Sequence, residues 1–315
     1  MKQSLKLSLL ALFAVTTVTA CNDSDDDNNE QSQQNQTQQQ QSVEVKTPNP
    51  AFVQTVAPDY SSSDVVTVDV ENQQVTTGYY TKDKSDYTVV TYMDEIYHIG
   101  RFGIDNIDKY NAGSAYVQQW SYSTQDNEDT SSRNPYTMAF VSKEKAYVLR
   151  YGSPKVWIVN PQATQAEDFK TGELDLSAYA ENNSAGTPSP SSAVVTNGKL
   201  FIAMQRLDDS WNTQTAYVAV FDTDTDSEIE TNASDEDNVM GIPLTGLNPL
   251  ENSLYAFDNE VFVTSRDSYA SFDLSGSKIE AINTTDYSLR NVLTATDITD
   301  NVSANIQYSV IKSAD

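Results

Sequence analysis

A chain of 315 residues with 45 acidic against 19 basic side chains carries a formal charge of −26 and has a pI near 4.1. Such a balance excludes electrostatic attraction to phosphate backbones or anionic lipid, so nucleic acid is not an expected partner. One cysteine and one histidine rule out an internal disulfide, leave zinc, copper and haem without their usual ligands, and offer no second histidine for nucleophile-and-base catalysis.

Residues 1–20 open with Met1 and Lys2 and continue, with Lys6, into an apolar run from Leu5 to Val18. The charged start and short hydrophobic core are those of a secretory signal, and the run is shorter than the roughly 20 apolar residues of a membrane span. Val18, Thr19 and Ala20 lead into Cys21 and resemble a bacterial lipobox. That resemblance implies cleavage before Cys21 and a diacylglyceryl group on its thiol. The membrane is then a partner through lipid, the expected address is the bacterial cell envelope at the outer membrane, and the leaflet stays open. Residues 21–50, CNDSDDDNNEQSQQNQTQQQQSVEVKTPNP, hold almost nothing apolar before Val43 and cannot bury enough surface to order themselves. They are expected to form a disordered acidic and glutamine-rich tether.

From Ala51 to Asp315 the texture changes to short runs of Val, Tyr, Phe, Ile and Thr broken by Asn-Gly, Asp-Asn, Pro and Ser clusters, which predicts an all-β domain. YTVVTY, IYHIGR, NIDKYN and YVQQWSY form one unit. YTMAFV, AYVLRY, VWIVN and a looser strand around Phe169 to Leu176 form the next. SAVVT, LFIAMQR, a loop through Trp211 and AYVAVFDTDTDSEI repeat the order, as do SLYAF, VFVTSR, YASFDL and IEAINTTDYSLRNVL. A glutamate or lysine opens the second strand at Glu95, Lys145, Lys199 and Glu260, in steps of 50, 54 and 61 residues. Four-stranded antiparallel sheets at that period predict a β-propeller, because each sheet needs a neighbour to cover its face. NIQYSVIKSAD, from Asn305 to Asp315, reads as the first strand of a further blade. Two closures are open. DVVTVDV (Asp64 to Val70) and QQVTTGYY (Gln73 to Tyr80) can complete the last sheet, giving about five blades with one strand missing. The expectation preferred here is a chain truncated from a larger propeller, since an open ring exposes unpaired edges.

NPYTMAFVSKEKAYVLRYGSPKVWIVNP and AYVAVFDTDTDSEI resemble the YVTN-type β-propeller repeat, in which a YVTN-like second strand precedes a V-x-V-I-D third strand and a Thr-rich turn. More narrowly the chain resembles exported bacterial propeller lipoproteins of unknown function. The resemblance implies the fold and leaves the activity open, because propellers host binders and enzymes alike. Arginine, or a residue near it, stands where the repeat has asparagine.

Four of the six arginines, Arg101, Arg150, Arg206 and Arg266, close the second strands of four units. Placed around one funnel mouth, with Phe102 and Tyr151 as stacking walls, they would suit bidentate capture of an anionic small molecule. Pairing of each arginine with an acid of an adjacent blade is the alternative. Asp222, Asp224 and Asp226 have the D-x-D-x-D spacing of a calcium ligand set, without the glycine of an EF-hand, and they also match the ordinary turn after a third strand. No other cofactor is expected. Asp235 to Asp237 read as a solvated charge run and His98 as a structural histidine. The expected function is a lipid-anchored binding module of the envelope. The alternatives are a calcium-assisted hydrolase or lyase and a scaffold for an envelope protein complex.

Overall fold

Strands buried on both faces read as near-continuous apolar runs, and the second strand of each unit has that character. A computed structural model describes residues 50–78, 80–111, 117–234, 239–267 and 276–297. The signal, Cys21, nearly all of the tether, Asp235 to Asp237, the YASFDL run and Asn305 to Asp315 lie outside the described residues.

The fold is a five-bladed β-propeller of antiparallel sheets. Blade 1 contains β1 (Ala51–Val56), β2 (Ser63–Asp69) and β3 (Gln74–Thr76). Blade 2 contains β4 (Tyr87–Tyr92), β5 (Glu95–Gly100), β6 (Asn106–Asn111) and β7 (Gln118–Ser123). Blade 3 follows with β8 (Pro135–Phe140), β9 (Ala146–Arg150), β10 (Lys155–Val159) and β11 (Lys170–Asp175), and blade 4 with β12 (Pro190–Thr196), β13 (Lys199–Met204), β14 (Tyr217–Asp222) and β15 (Ile242–Pro243). Blade 5 contains β16 (Asn248–Phe257), β17 (Glu260–Arg266), β18 (Lys278–Asn283) and β19 (Leu289–Thr294). In blades 2 to 5 the strands pair in sequence order.

Because side chains alternate faces along a strand, β9 sends Tyr147 and Leu149 into the layer shared with blade 4, and Ala146 and Val148 into the layer shared with blade 2. In β13, Leu200 and Ile202 face blade 3, while Phe201 and Ala203 face blade 5 with Val261, Val263 and Ile282. The core is thus a series of interblade layers, each sealed by the alternating faces of a second strand.

A short turn follows the third strand of most blades. Asn160 Oδ1 accepts the Gln162 N–H at 2.9 Å, Asp222 Oδ1 accepts the N–H groups of Asp224 and Thr225, and Asn283 Oδ1 accepts those of Thr285 and Asp286. These caps stand in for backbone turn bonds, which explains the Asp or Asn at that place. The same cap splits IEAINTTDYSLRNVL into β18 and β19, so blade 5 takes its fourth strand from its own segment. DVVTVDV and QQVTTGYY supply β2 and β3 of blade 1, a sheet separate from that of blade 5.

The residues that open second strands tie neighbouring blades at the rim carrying those turns. Glu95 accepts bonds from Lys109 and from Gln162 of blade 3. Lys145 Nζ reaches Asp226 of blade 4 at 2.8 Å, and Asn197 donates to Thr284 of blade 5.

Candidate functional site

The second strands end at the opposite rim, so the residues after them enter the loops of one face. Arg101 extends from the end of β5, where Nε donates to Asp86 Oδ1 at 2.7 Å and Nη1 to Glu251 Oε2 at 2.6 Å. Its guanidinium also lies 5.0 Å from the Tyr136 ring centroid. This pairing joins blade 2 to β16 of blade 5.

Arg150 is 1% exposed. Its guanidinium lies over Trp157 at 4.5 Å and donates to Asp126 at 3.1 Å and Asp129 at 2.9 Å, fixing the connection from β7 to β8 against its own blade. Burial pulls its pKa below the ordinary arginine value, although a guanidinium stays charged at neutral pH. Arg206, 2% exposed, lies over Tyr217 at 4.7 Å and donates to the carbonyls of Tyr179 and Thr215. Arg266 is half-buried at the end of β17. An open mouth of four guanidiniums is therefore not what these side chains form, because two are shut off from solvent and a third is neutralised by two carboxylates. Arg101 pairs with Asp86 at the entry of its own blade and with Glu251 of blade 5, which is not its neighbour in the ring, so it does not make the expected adjacent-blade pairing, and Arg150 and Arg206 bolt incoming connections to their own blades.

The two aromatic walls do come together. Phe102 and Tyr151 line one cleft of about 300 Å³, with Trp211 as a third aromatic and Asn134, Asn183, Asp208 and Asp209 among its polar residues. The loops after β5, β9 and β13 supply the aromatics, and the connections into β8 and β12 supply the asparagines. Tyr151 stacks on Tyr136 at 4.5 Å, and its hydroxyl donates to Gln205, which donates in turn to Asn248 of blade 5. This chain fixes one wall rigidly.

Phe102 is 68% and Trp211 58% exposed, an unusual disposition for large rings. Trp211 also has φ of 64°, in the left-handed region that costs a bulky residue on the order of 1 kcal/mol. Its loop is held in that shape by Asp208, whose carboxylate accepts bonds from the N–H groups of Ser210 and Asn212 and from the Asn212 side chain. The Asn212 and Ser210 hydrogen bonds hold the Asp208 pKa below the usual carboxylate value. Asp209 accepts the Ser184 N–H at 2.8 Å, clamping the loop to the connection opposite. From the sequence alone Trp211 belongs to a polar loop and to no site. An isolated tryptophan between Asp-Asp-Ser and Asn-Thr was the signal that could have placed it in the site.

Asp222, Asp224 and Asp226 are not disposed as a calcium site. Asp222 caps its own turn, and Asp226 binds Lys145 and the Tyr147 hydroxyl. Among the described residues no group of three or more His, Cys, Asp or Glu side chains is arranged to hold a metal ion. His98 is fully buried, with Nε2 2.8 Å from Gln54 Oε1. Burial, aided by Lys82, pushes its pKa down to about 4.

No family model matches the chain, and no curated protein matches it. Among solved structures it is similar to a protein from Lactobacillus plantarum, with 13% identity and a TM-score of 0.51 over 77% of this chain and 67% of that one. It is also similar to virginiamycin B lyase from Staphylococcus aureus, with 12% identity and a TM-score of 0.46 over 78% and 71%. Apo AztD from Citrobacter koseri has 11% identity and a TM-score of 0.45 over 79% and 58%. The chain thus spans between 58% and 71% of the length of these structures, and at such identities the likeness concerns the propeller fold alone.

Proposed function

We propose that this protein is a lipid-anchored binding module of the bacterial envelope, built of YVTN-type repeats and tethered through Cys21. Its cleft takes a small ligand with an apolar face that is uncharged or positively charged. The observation that carries the reading is the pair Phe102 and Trp211, two large rings held out in solvent around one cleft, one of them on a strained backbone. Strain and exposed apolar surface are retained where a ligand repays them. The sign of the ligand follows from charge. The carboxylates of Asp208 and Asp209 stand in the wall, Arg150 and Arg206 are buried, and the whole chain carries −26. Rings with electron-rich faces beside carboxylates favour a cation or a sugar-like neutral ring over an anion.

The test is thermal unfolding with a panel of neutral saccharides, quaternary ammonium compounds and dicarboxylates. A ligand at ~100 times its Kd adds about 2.7 kcal/mol, a rise of several degrees. Stabilisation by one of the first two classes, lost in Trp211→Ala, supports the reading. Stabilisation by the dicarboxylates alone overturns it.

A further inference from the structure

The polar groups of the cleft beside Phe102, Tyr151 and Trp211 decide which charge its ligand carries. Asp208 and Asp209 stand in the wall, and among the described residues no lysine, arginine or histidine lines it. Two basic side chains reach its margin, and both are engaged. Arg133 donates to Asp129 at 2.7 Å and to the Gly152 carbonyl at 3.3 Å, and Lys84 donates to the Gly103 carbonyl at 3.2 Å. Asp208 accepts the Ser210 and Asn212 N–H groups on Oδ1 and the Asn212 side chain on Oδ2, so its charge meets neutral donors only. Asp209 is exposed and gives Oδ1 to the Ser184 N–H, and among the described residues no donor reaches its Oδ2. Three donors of the same wall are spent inside the protein. The Tyr151 hydroxyl donates to Gln205 at 2.6 Å, the Thr187 hydroxyl to the Tyr151 carbonyl at 2.7 Å, and Asn183 Nδ2 to the Leu207 carbonyl at 3.0 Å. An anion meets no positive charge here, and a neutral sugar finds few donors for its hydroxyl oxygens.

Resting on the reading of this cleft as a ligand site, we infer that its ligand is an organic cation, an amine protonated at neutral pH or a quaternary ammonium group on an apolar body. Two successive carboxylates repel each other, and neutral donors do not cancel that repulsion. A cation placed between them and the electron-rich faces of exposed aromatic rings relieves it and gains from both sides. The apolar body of the ligand packs against Phe102, Leu207 and Trp211, which line the same cleft. Asp208 shapes the loop, while Asp209, with one oxygen unused, sets the preference for charge. The net charge of −26 adds a long-range pull on cations and raises their local concentration at the surface.

The experiment uses the full chain and probes of one shape and different charge: benzylammonium, benzyl alcohol and benzoate, titrated by calorimetry at low and high salt. Benzylammonium should bind about 10-fold tighter than benzyl alcohol, with the gap narrowing at high salt. Asp209→Asn keeps Oδ1 for the Ser184 N–H, so the loop stays clamped; it should weaken benzylammonium about 3-fold or more and leave benzyl alcohol unchanged. Glu167→Gln, at an exposed carboxylate outside the cleft, should leave both unchanged. An equal loss in the two variants assigns the preference to the overall charge and overturns the inference, as does benzylammonium binding that survives Trp211→Ala unchanged. Benzyl alcohol binding as tightly as benzylammonium, with both lost in Trp211→Ala, overturns the cation assignment and leaves the cleft reading intact. Tightest binding of benzoate, or no saturable binding of any probe, overturns the cleft reading and the inference with it.

Discussion

Arg150→Met replaces a buried guanidinium by an apolar side chain of similar length and leaves Asp126 and Asp129 facing it. Severing a buried pair costs about 3–5 kcal/mol when the partner charge is stranded. Here Asp129 keeps Arg133 at 2.7 Å and Asp126 keeps Lys170 at 2.7 Å, so the lower end applies, about 3 kcal/mol. For a domain of this size that corresponds to a fall in Tm of roughly 6–12 °C. The assay is thermal and urea unfolding, with Arg290→Met as control. Arg290 holds Glu260 on the exposed face of blade 5, and an exposed pair contributes about 0–1 kcal/mol. If Arg150→Met unfolds within about 1 kcal/mol of the unmodified protein, the guanidinium is not a structural bolt. If it instead abolishes binding of an anion with Tm unchanged, Arg150 belongs to a ligand site and the assignment made from its burial fails.

Four further outcomes are expected. His98 is neutral when folded, with a pKa of about 4 against an ordinary 6.5, so the unfolded chain binds a proton first as pH falls. Stability is therefore full above pH ~6.5 and declines towards pH ~4, by about 2.5 kcal/mol at pH 4.5; urea unfolding should show that slope flattened in His98→Gln. Phe102→Ala and Trp211→Ala each shift stability by no more than about 0.5 kcal/mol, since both rings are exposed, while weakening ligand binding in a titration at least 10-fold. Calcium or a chelator leaves Tm unchanged, whereas Asp226→Asn lowers stability by about 1–2 kcal/mol through loss of the charge on the Lys145 and Tyr147 contacts. Cys21→Ala abolishes incorporation of labelled fatty acid in cells, and label persisting in that variant would contradict lipidation at this residue.

Most of the fold could be read from the sequence because strands buried on both faces carry an unbroken apolar run, and the residue opening that run recurs. Glu95, Lys145, Lys199 and Glu260 begin or immediately precede the second strands of blades 2 to 5. The D-x-D-x-D run was legible as the turn after a third strand, and the structure adds that Asp222 caps it. What could not be read was the side on which each arginine falls. The step from strand aromatic to arginine is four, three, five and four residues, so strict alternation places the guanidiniums on different faces, and only the loop contacts decide their partners. In blade 1 the runs of β2 and β3 were legible as strands, whereas β1 was not singled out, and the Asp69 cap after β2 is a hydrogen bond, invisible as spacing. The cleft was half legible. Phe102 and Tyr151 followed from their position after the second strands, while Trp211 sits in a long loop whose course depends on Asp208 and Asp209 holding it.

The most direct test of the cleft uses its own chromophore. Of the three tryptophans, Trp157 is buried and Trp120 half-buried, so a ligand arriving at the cleft changes mainly the emission of Trp211. Fluorescence titration with a quaternary ammonium compound or a neutral saccharide should give a saturable spectral shift that is absent in Trp211→Phe and reduced in Phe102→Ala. A saturable shift produced only by anions, or one that survives Trp211→Phe unchanged, would place the ligand elsewhere on the propeller.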